Sequence, residues 1–478
     1  MKIPFVIFLL ISLFITSFAQ GPQNERQQFI RVEAPLIALL HVRVIDGVGS
    51  AAQEDQTILI TDGKVQSVGP STSVSVPSTA KSLDLTGYTV LPGLVGMHDH
   101  MFFPMGGSPP IYSDMGISFP RLYLALGVTT IRTTGSIAPF TDLEIKRRID
   151  AGTMVGPKMH VTAPYLEGPG AYTPVMHELT GPDDARRMVN FWAEEGATSF
   201  KAYMNITRDE LRAAVEEAHK RGLKVTGHLC SVGFREAAEI GIDDLEHGLL
   251  PNSEFVPGKV PDKCPAGVSE SLLKLDINGA EAQQTIKTLV AKNVALTSTL
   301  PVFEAGAPIT QTGIGAARAL LNPRMLNTMS TDARVRYLSS RARVPANSPT
   351  ATLIRKSMDF ERAFVAAGGL LIAGLDPTGN GGIVAGFGDL REVELLVEAG
   401  FTPAEAIKIA TFNGAKFLGE DSRIGSIAAG KQADLMVVKG NPSANINDIE
   451  NVEIVFKDGI GYDTDKLIQS VQGLVGVR

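Results

Sequence analysis

The chain has 478 residues, enough for one large domain with appendages or for two to three ordinary domains. With 44% hydrophobic and 20% charged residues it reads as a soluble globular protein, not a disordered or fibrous one. The net charge of −7 comes without any basic run or patch, which argues against nucleic acid as a partner.

The amino terminus stands apart. Met1-Lys2 precedes an apolar stretch from Ile3 to Phe18, and Ser17-Phe18-Ala19 offers the small-x-small pattern of a signal peptidase site. The stretch is short for a membrane span. It is read as a cleaved signal (residues 1–19), so the mature protein is expected to be exported, periplasmic or secreted, without stable membrane insertion. No cysteine stands directly after the cleavage point, which argues against a lipoprotein.

Residues 36 to 90 read as short strands, with LIALLHVRVID, QTILITDGKVQSVG and KSLDLTGYTVLP as β-rich runs separated by turn residues. The texture then changes to eight apolar runs, most of them followed by a helical pattern. They cover residues 94–100, 127–134, 158–166, 197–204, 223–229, 243–249, 294–300 and 369–376. The clearest helix, TRDELRAAVEEAHKR, opens with the capping-box pair Thr207 and Glu210 and stops at Gly222. Eight strand-then-helix units predict an α/β fold, a (β/α)8 TIM-type barrel over residues 91–419. Residues 250–279 and 301–352 fit the alternation poorly, and connections of that length are more often functional lids than idle loops. Short strands return near residue 422. Residues 30–90 and 420–465 therefore form a candidate discontinuous, sandwich-like β domain.

Chemistry-bearing residues gather near the carboxyl ends of the eight runs. In LPGLVGMHDH, His98 and His100 are two apart, so an extended strand points both to one face and Asp99 away. Lys201 lies in the fourth run, His228 and His247 end the fifth and sixth, and Asp376 ends the eighth. Barrel enzymes build their sites at that rim. Neutral imidazole and carboxylate suit zinc or a similar divalent ion. A protonated lysine does not ligate a cation, but CO2 addition makes it a carbamate with two oxygen donors. Taken singly, each residue has a plainer role, such as a core histidine, an ion-pair lysine or a capping aspartate. All of them would have to take those roles at the correct strand ends. Cys230 and Cys264 either pair, tying down a loop beside the site, or stay free.

The segments PGLVGMHDH, GVTTIR, SFKAY, GLKVTGH, DLEHG, AGLD and IGSIAAGKQADLMVV resemble the amidohydrolase superfamily. The likeness spans about residues 33–460 and is nearest the branch of imidazolonepropionase and the Xaa-Pro and Xaa-basic dipeptidases. It implies that His98, His100 and Asp376 hold one metal ion, most readily Zn2+, and that His228 and His247 hold a second. A carbamate on Lys201 and a hydroxide would bridge the two. The implied reaction is hydrolysis of a C–N bond in a dipeptide or other small-molecule amide. Asp376 would act as general base and then acid, and Tyr203 either stabilises the oxyanion or is a packed aromatic. The alternatives are a cyclic amide or amidine hydrolase or deaminase, and a non-catalytic metal-binding homologue. A homo-oligomer remains open. One departure is Thr133, where relatives commonly have an acid after the arginine that is Arg132 here. His160, Tyr165 and His177 are further candidates for substrate contact or for packing.

Overall fold

The structure, a computed structural model, describes residues 25–477; the expected signal segment lies outside them. All eight apolar runs contain a strand: Leu94–Gly96, Val128–Arg132, Lys158–His160, Ser199–Ala202, Lys224–Gly227, Asp244–Glu246, Ala295–Ser298 and Leu371–Ala373. They pair in parallel as a ladder of three (third, second, first) and a ladder of five (fourth to eighth). Isolated backbone hydrogen bonds cross the two seams. Ala163 N donates to Ser199 O at 3.0 Å, and Met97 N donates to Ala373 O at 2.8 Å. This is a TIM-barrel-type α/β fold. The strands are shorter than the runs that announced them, because each apolar run continues past the last ladder bond into the rim.

The helices between strands carry the expected local signals. Arg208–Lys220 starts at Thr207, whose Oγ1 accepts from Glu210 N while the Glu210 carboxylate accepts from Thr207 N. Its apolar face (Leu211, Ala214, Val215, Ala218) is buried against the barrel. Residues 301–352, partly helical in sequence, form a series of short helices leading into Thr350–Ala366. A two-stranded hairpin, Phe102–Gly106 with Ile111–Asp114, follows His100 directly. Its proline and paired glycines give no strand signal in the sequence.

A separate nine-stranded sheet joins the two ends of the chain, with Leu435–Lys439 lying antiparallel to Tyr88–Pro92. Its core draws on both ends: Ile37, Leu39, Val42, Val44, Ile58 and Val90 pack with Leu435, Val437, Ile454 and Phe456. Strict alternation would put Leu39 and Val42 on opposite faces. The register slips between them, at His41 with φ of 58°, so this bulge returns both to the core.

Candidate metal centre

The eight strands deliver their polar residues to one end. His98 and His100 lie just past the first strand, Lys201 within the fourth, His228 past the fifth, His247 past the sixth and Asp376 past the eighth. Ligand atoms of His98, His100 and Asp376 all lie within 4.8 Å of one another. His98 Nε2 is 3.8 Å from Asp376 Oδ2, and His100 Nε2 is 3.6 Å from Oδ1. The His247 ring is centred 4.4 Å from that of His98, and the His228 ring 4.5 Å from that of His247. Lys201 Nζ stands 3.1 Å from His98 Nε2. Two of these residues have left-handed backbones, His247 at φ of 71° and Asp376 at 51°. Such strain in non-glycine residues persists where the surroundings enforce it, commonly at functional sites.

Partners behind the rings decide which nitrogen faces the centre. Glu246 Oε2 accepts from His98 Nδ1 at 2.7 Å, and Gly135 O accepts from His100 Nδ1 at 3.0 Å. Thr299 Oγ1 lies 2.7 Å from His247 Nδ1. Each bond leaves Nε2 as the atom available to a metal, the arrangement typical of ligating histidines, although in His98 that nitrogen meets Lys201 Nζ. Glu246 is itself held by Arg132 Nη2 at 3.0 Å, and Asp244 by the same nitrogen at 2.9 Å.

Burial sets the protonation states. It drives the imidazoles of His98, His100 and His247 well below their usual value and that of His228 to about 3, with the Lys201 charge adding to the effect. All four rings are therefore neutral near pH 7, as ligation requires. Burial also lowers the Lys201 amine to about 8 and raises the Asp376 carboxyl to about 6. His247 Nε2 and Asp376 Oδ1 are buried without a hydrogen-bond partner. Orphaned acceptors among neutral imidazoles fit a divalent cation, so the residues present match the implied group.

Aromatic side chains wall the same space. The Phe102 ring stacks on His100 with centroids 4.4 Å apart, and Tyr203 lies 4.8 Å from Tyr165 and 5.0 Å from His228. Tyr112 and Tyr172 join hydroxyls at 2.8 Å. Tyr165 thus belongs to the rim, whereas His160 turns to the other end of the barrel and meets Glu420 at 3.3 Å. The exposed His177 pairs with the buried Asp184 at 3.0 Å. Thr133 spends its hydroxyl on Thr162 N, inside the barrel wall. Cys230 and Cys264 form a disulfide that anchors residues 250–279 two positions beyond His228. Glu246, Asp244 and Arg132 had not been assigned a role; the signal was Asp244 and Glu246 at i and i+2 on a buried strand, where paired acids demand a partner.

The profile of the amidohydrolase family matches residues 89–460. Imidazolonepropionase from Phocaeicola vulgatus is 25% identical over 400 residues, 80% of this chain and 84% of that protein. Among solved structures, a candidate prolidase from Bifidobacterium longum superposes with a TM-score of 0.65 at 26% identity, covering 91% of this chain and 98% of that one. A Xaa-Pro dipeptidase with methionine bound in its active site has a TM-score of 0.64 at 21% identity, covering 90% and 100%.

Proposed function

The chain belongs to the amidohydrolase family and is a hydrolase of carbon–nitrogen bonds, and we propose that the bond it cleaves is the amide of a dipeptide or other small amide. The observation that carries this reading is the buried group of neutral His98, His100, His228 and His247 around Lys201 and Asp376. In it His98, His100 and Asp376 would hold one divalent ion, and His228 and His247 would hold a second. Zinc suits this donor set best. With its amine lowered to about 8, Lys201 is partly neutral at physiological pH. Its lone pair is then free to add to CO2 with loss of a proton, and the resulting anionic carbamate would offer oxygen donors to such ions.

Bound here, divalent ions supply a water activated near neutral pH and polarise the scissile carbonyl. The residues do the rest. Asp376, at about 6, is mostly ionised at pH 7, so it accepts the proton of the attacking water and returns it to the departing amine. The phenol of Tyr203 borders the centre and donates toward the oxygen that gains charge. Phe102, Tyr112, Tyr165 and Tyr172 offer flat apolar surface beside the reacting atoms, which favours substrates with an apolar or ring-bearing residue. The second reading, hydrolysis of a cyclic amide, is favoured by the likeness to imidazolonepropionase.

The same reading divides the chain into a hydrolase barrel (91–419) and a discontinuous β domain (30–90 with 420–465), supported by the sheet that spans both ends. It also places the protein outside the cytoplasm after loss of residues 1–19. The Cys230–Cys264 bridge supports this, since disulfides persist in oxidising compartments. No helix of the described residues is long and apolar enough to cross a membrane. The test is metal quantification followed by a screen of dipeptides, N-acyl amino acids and cyclic amides. Amine release that depends on bound metal is the expected result. Turnover of a cyclic amide alone would favour the second reading, and release with no metal requirement would refute both.

A further inference from the structure

The opposite end of the barrel holds a second polar cavity that the hydrolytic centre does not use. Its volume is about 240 Å³, and Arg132, His160, Lys224, Lys416 and Phe417 form part of its wall. Ser199 and Lys224, also in the wall, are the first residues of the fourth and fifth strands. His228 follows the last residue of that fifth strand, so the strand lies between the cavity and this histidine, while Arg132 in the wall also holds Glu246 behind His98. Phe417, on the helix Gly414–Leu418, is buried across this end.

Positive charge collects here and is only partly matched, since Asp244 and Glu246 pair with Arg132 through Nη2 alone. Arg132 Cζ and Lys224 Nζ each stand 5.3 Å from the centre of the Phe417 ring. Arg132 is 1% exposed. Its Nε donates to Met97 O and its Nη2 to Asp244 and Glu246, but Nη1 is buried with no hydrogen-bond partner. Neither Lys224 nor Lys416 forms an ion pair among the described residues. The nearby acid Glu420 is already engaged, by His160 at 3.3 Å and Arg423 at 2.6 Å. A buried guanidinium N–H left unmet is costly, and here it is left unmet in the wall of a cavity flanked by two unpaired ammonium groups.

We propose that this cavity binds a small oxyanion of phosphate or carboxylate chemistry, with Arg132 Nη1 as the buried donor and Lys224 and Lys416 as flanking charges. A planar guanidinium is the side chain best matched to such an anion, and ammonium groups at the entrance supply attraction without fixed geometry. The volume is below that of pockets for larger organic ligands and ample for a hydrated phosphate or acetate. The site is independent of the substrate chosen by the centre above it.

The test is isothermal titration of inorganic phosphate, and in a second arm acetate, into the metal-loaded full chain, with ionic strength held constant by chloride. One saturable site is expected, with affinity reduced at least about tenfold in Lys224→Ala/Lys416→Ala. The ligand-free double variant should melt at the native temperature, since both lysines lack ion pairs. Saturation in both arms supports a site satisfied by one negative charge, and saturation by phosphate alone supports one that needs two. Absence of saturable binding in either arm overturns the proposal. Equal affinity in the double variant also overturns it, because that places the anion at the metal centre or elsewhere.

Discussion

Replacing Glu246 by glutamine isolates what the carboxylate behind His98 contributes. Its Oε2 accepts from His98 Nδ1 at 2.7 Å, and its Oε1 accepts from Arg132 Nη2 at 3.0 Å. Glutamine keeps the length but has only one accepting atom and no charge. Turning its oxygen to His98 sets its NH2 against the Arg132 guanidinium; turning it the other way abandons His98. Either choice loosens the ring and lowers its basicity, and partners of this kind are worth about 10–100-fold in metal affinity, or ~1.4–2.7 kcal/mol. The fold is expected to survive, because Arg132 keeps Asp244 at 2.9 Å. Burial and the neighbouring Glu246 charge hold the Asp244 carboxyl up at about 7. Without that neighbour Asp244 ionises more readily and serves as the counter-ion of Arg132. Zinc affinity measured by chelator competition should fall by the stated factor in Glu246→Gln, with the metal-free melting temperature within a few degrees of native. An affinity within about twofold of native would refute the claim that this carboxylate supports a metal ligand.

Asp376→Asn should keep its metal and lose about 10²–10⁴-fold in kcat; an unchanged kcat sinks the proton-shuttle role. Lys201→Ala should be inactive and partly restored by short carboxylic acids, whereas intact two-metal binding with no rescue argues against the carbamate. The Cys230–Cys264 bridge closes a loop with a sequence separation of 34, which chain entropy values at about 3–4 kcal/mol. Urea unfolding of Cys230→Ser/Cys264→Ser should show a loss of that order, and an unchanged midpoint contradicts it. Burial raises the Glu361 carboxyl from 4.5 to about 7 while Ser298 and Ser357 bond it. The unfolded chain therefore releases this proton at lower pH than the folded one. Stability is unpenalised below about pH 4.5 and falls as pH rises to about 7, by up to about 3 kcal/mol. Glu361→Gln should thus be more stable than native at pH 8 and equal to it near pH 4; a difference that does not change with pH rules this out.

The barrel was legible because its strands are short apolar runs at regular spacing, and because Thr207 and Glu210 announce a helix in four residues. The rim residues were legible for a related reason. His98 and His100 converge as a two-residue spacing suggests, although both lie past the strand that ends at Gly96, and the others sit at or near the ends of their runs. Less visible was the boundary between strand and rim. Apolar character continues through Met97 and Leu375, so periodicity alone does not say that ladder pairing ends at Gly96 and Ala373. The hairpin after His100 was hidden by Pro104 and Gly106, which read as loop but occupy a two-stranded edge that tolerates them.

The layer behind the ligands was the least legible, and the reason is geometric. Glu246 and His247 are consecutive, and a regular strand sends consecutive side chains to opposite faces. Both nevertheless converge on His98, Glu246 through its 2.7 Å bond and His247 through ring centres 4.4 Å apart. The left-handed backbone at His247 breaks the alternation and makes this possible, as the one at Asp376 does for the carboxylate that reaches both His98 and His100. A period-based reading fails where the chain leaves its period, and in this barrel it leaves it at two of the residues the chemistry needs. Strain of order 1–3 kcal/mol at each such position is held by the packing around them, since both residues are almost wholly buried. The pairing of Glu246 with Arg132 then follows from burial alone. A carboxylate brought inside to orient His98 requires a cation, and Arg132, at the end of the middle strand of the three-stranded ladder, supplies one at 3.0 Å.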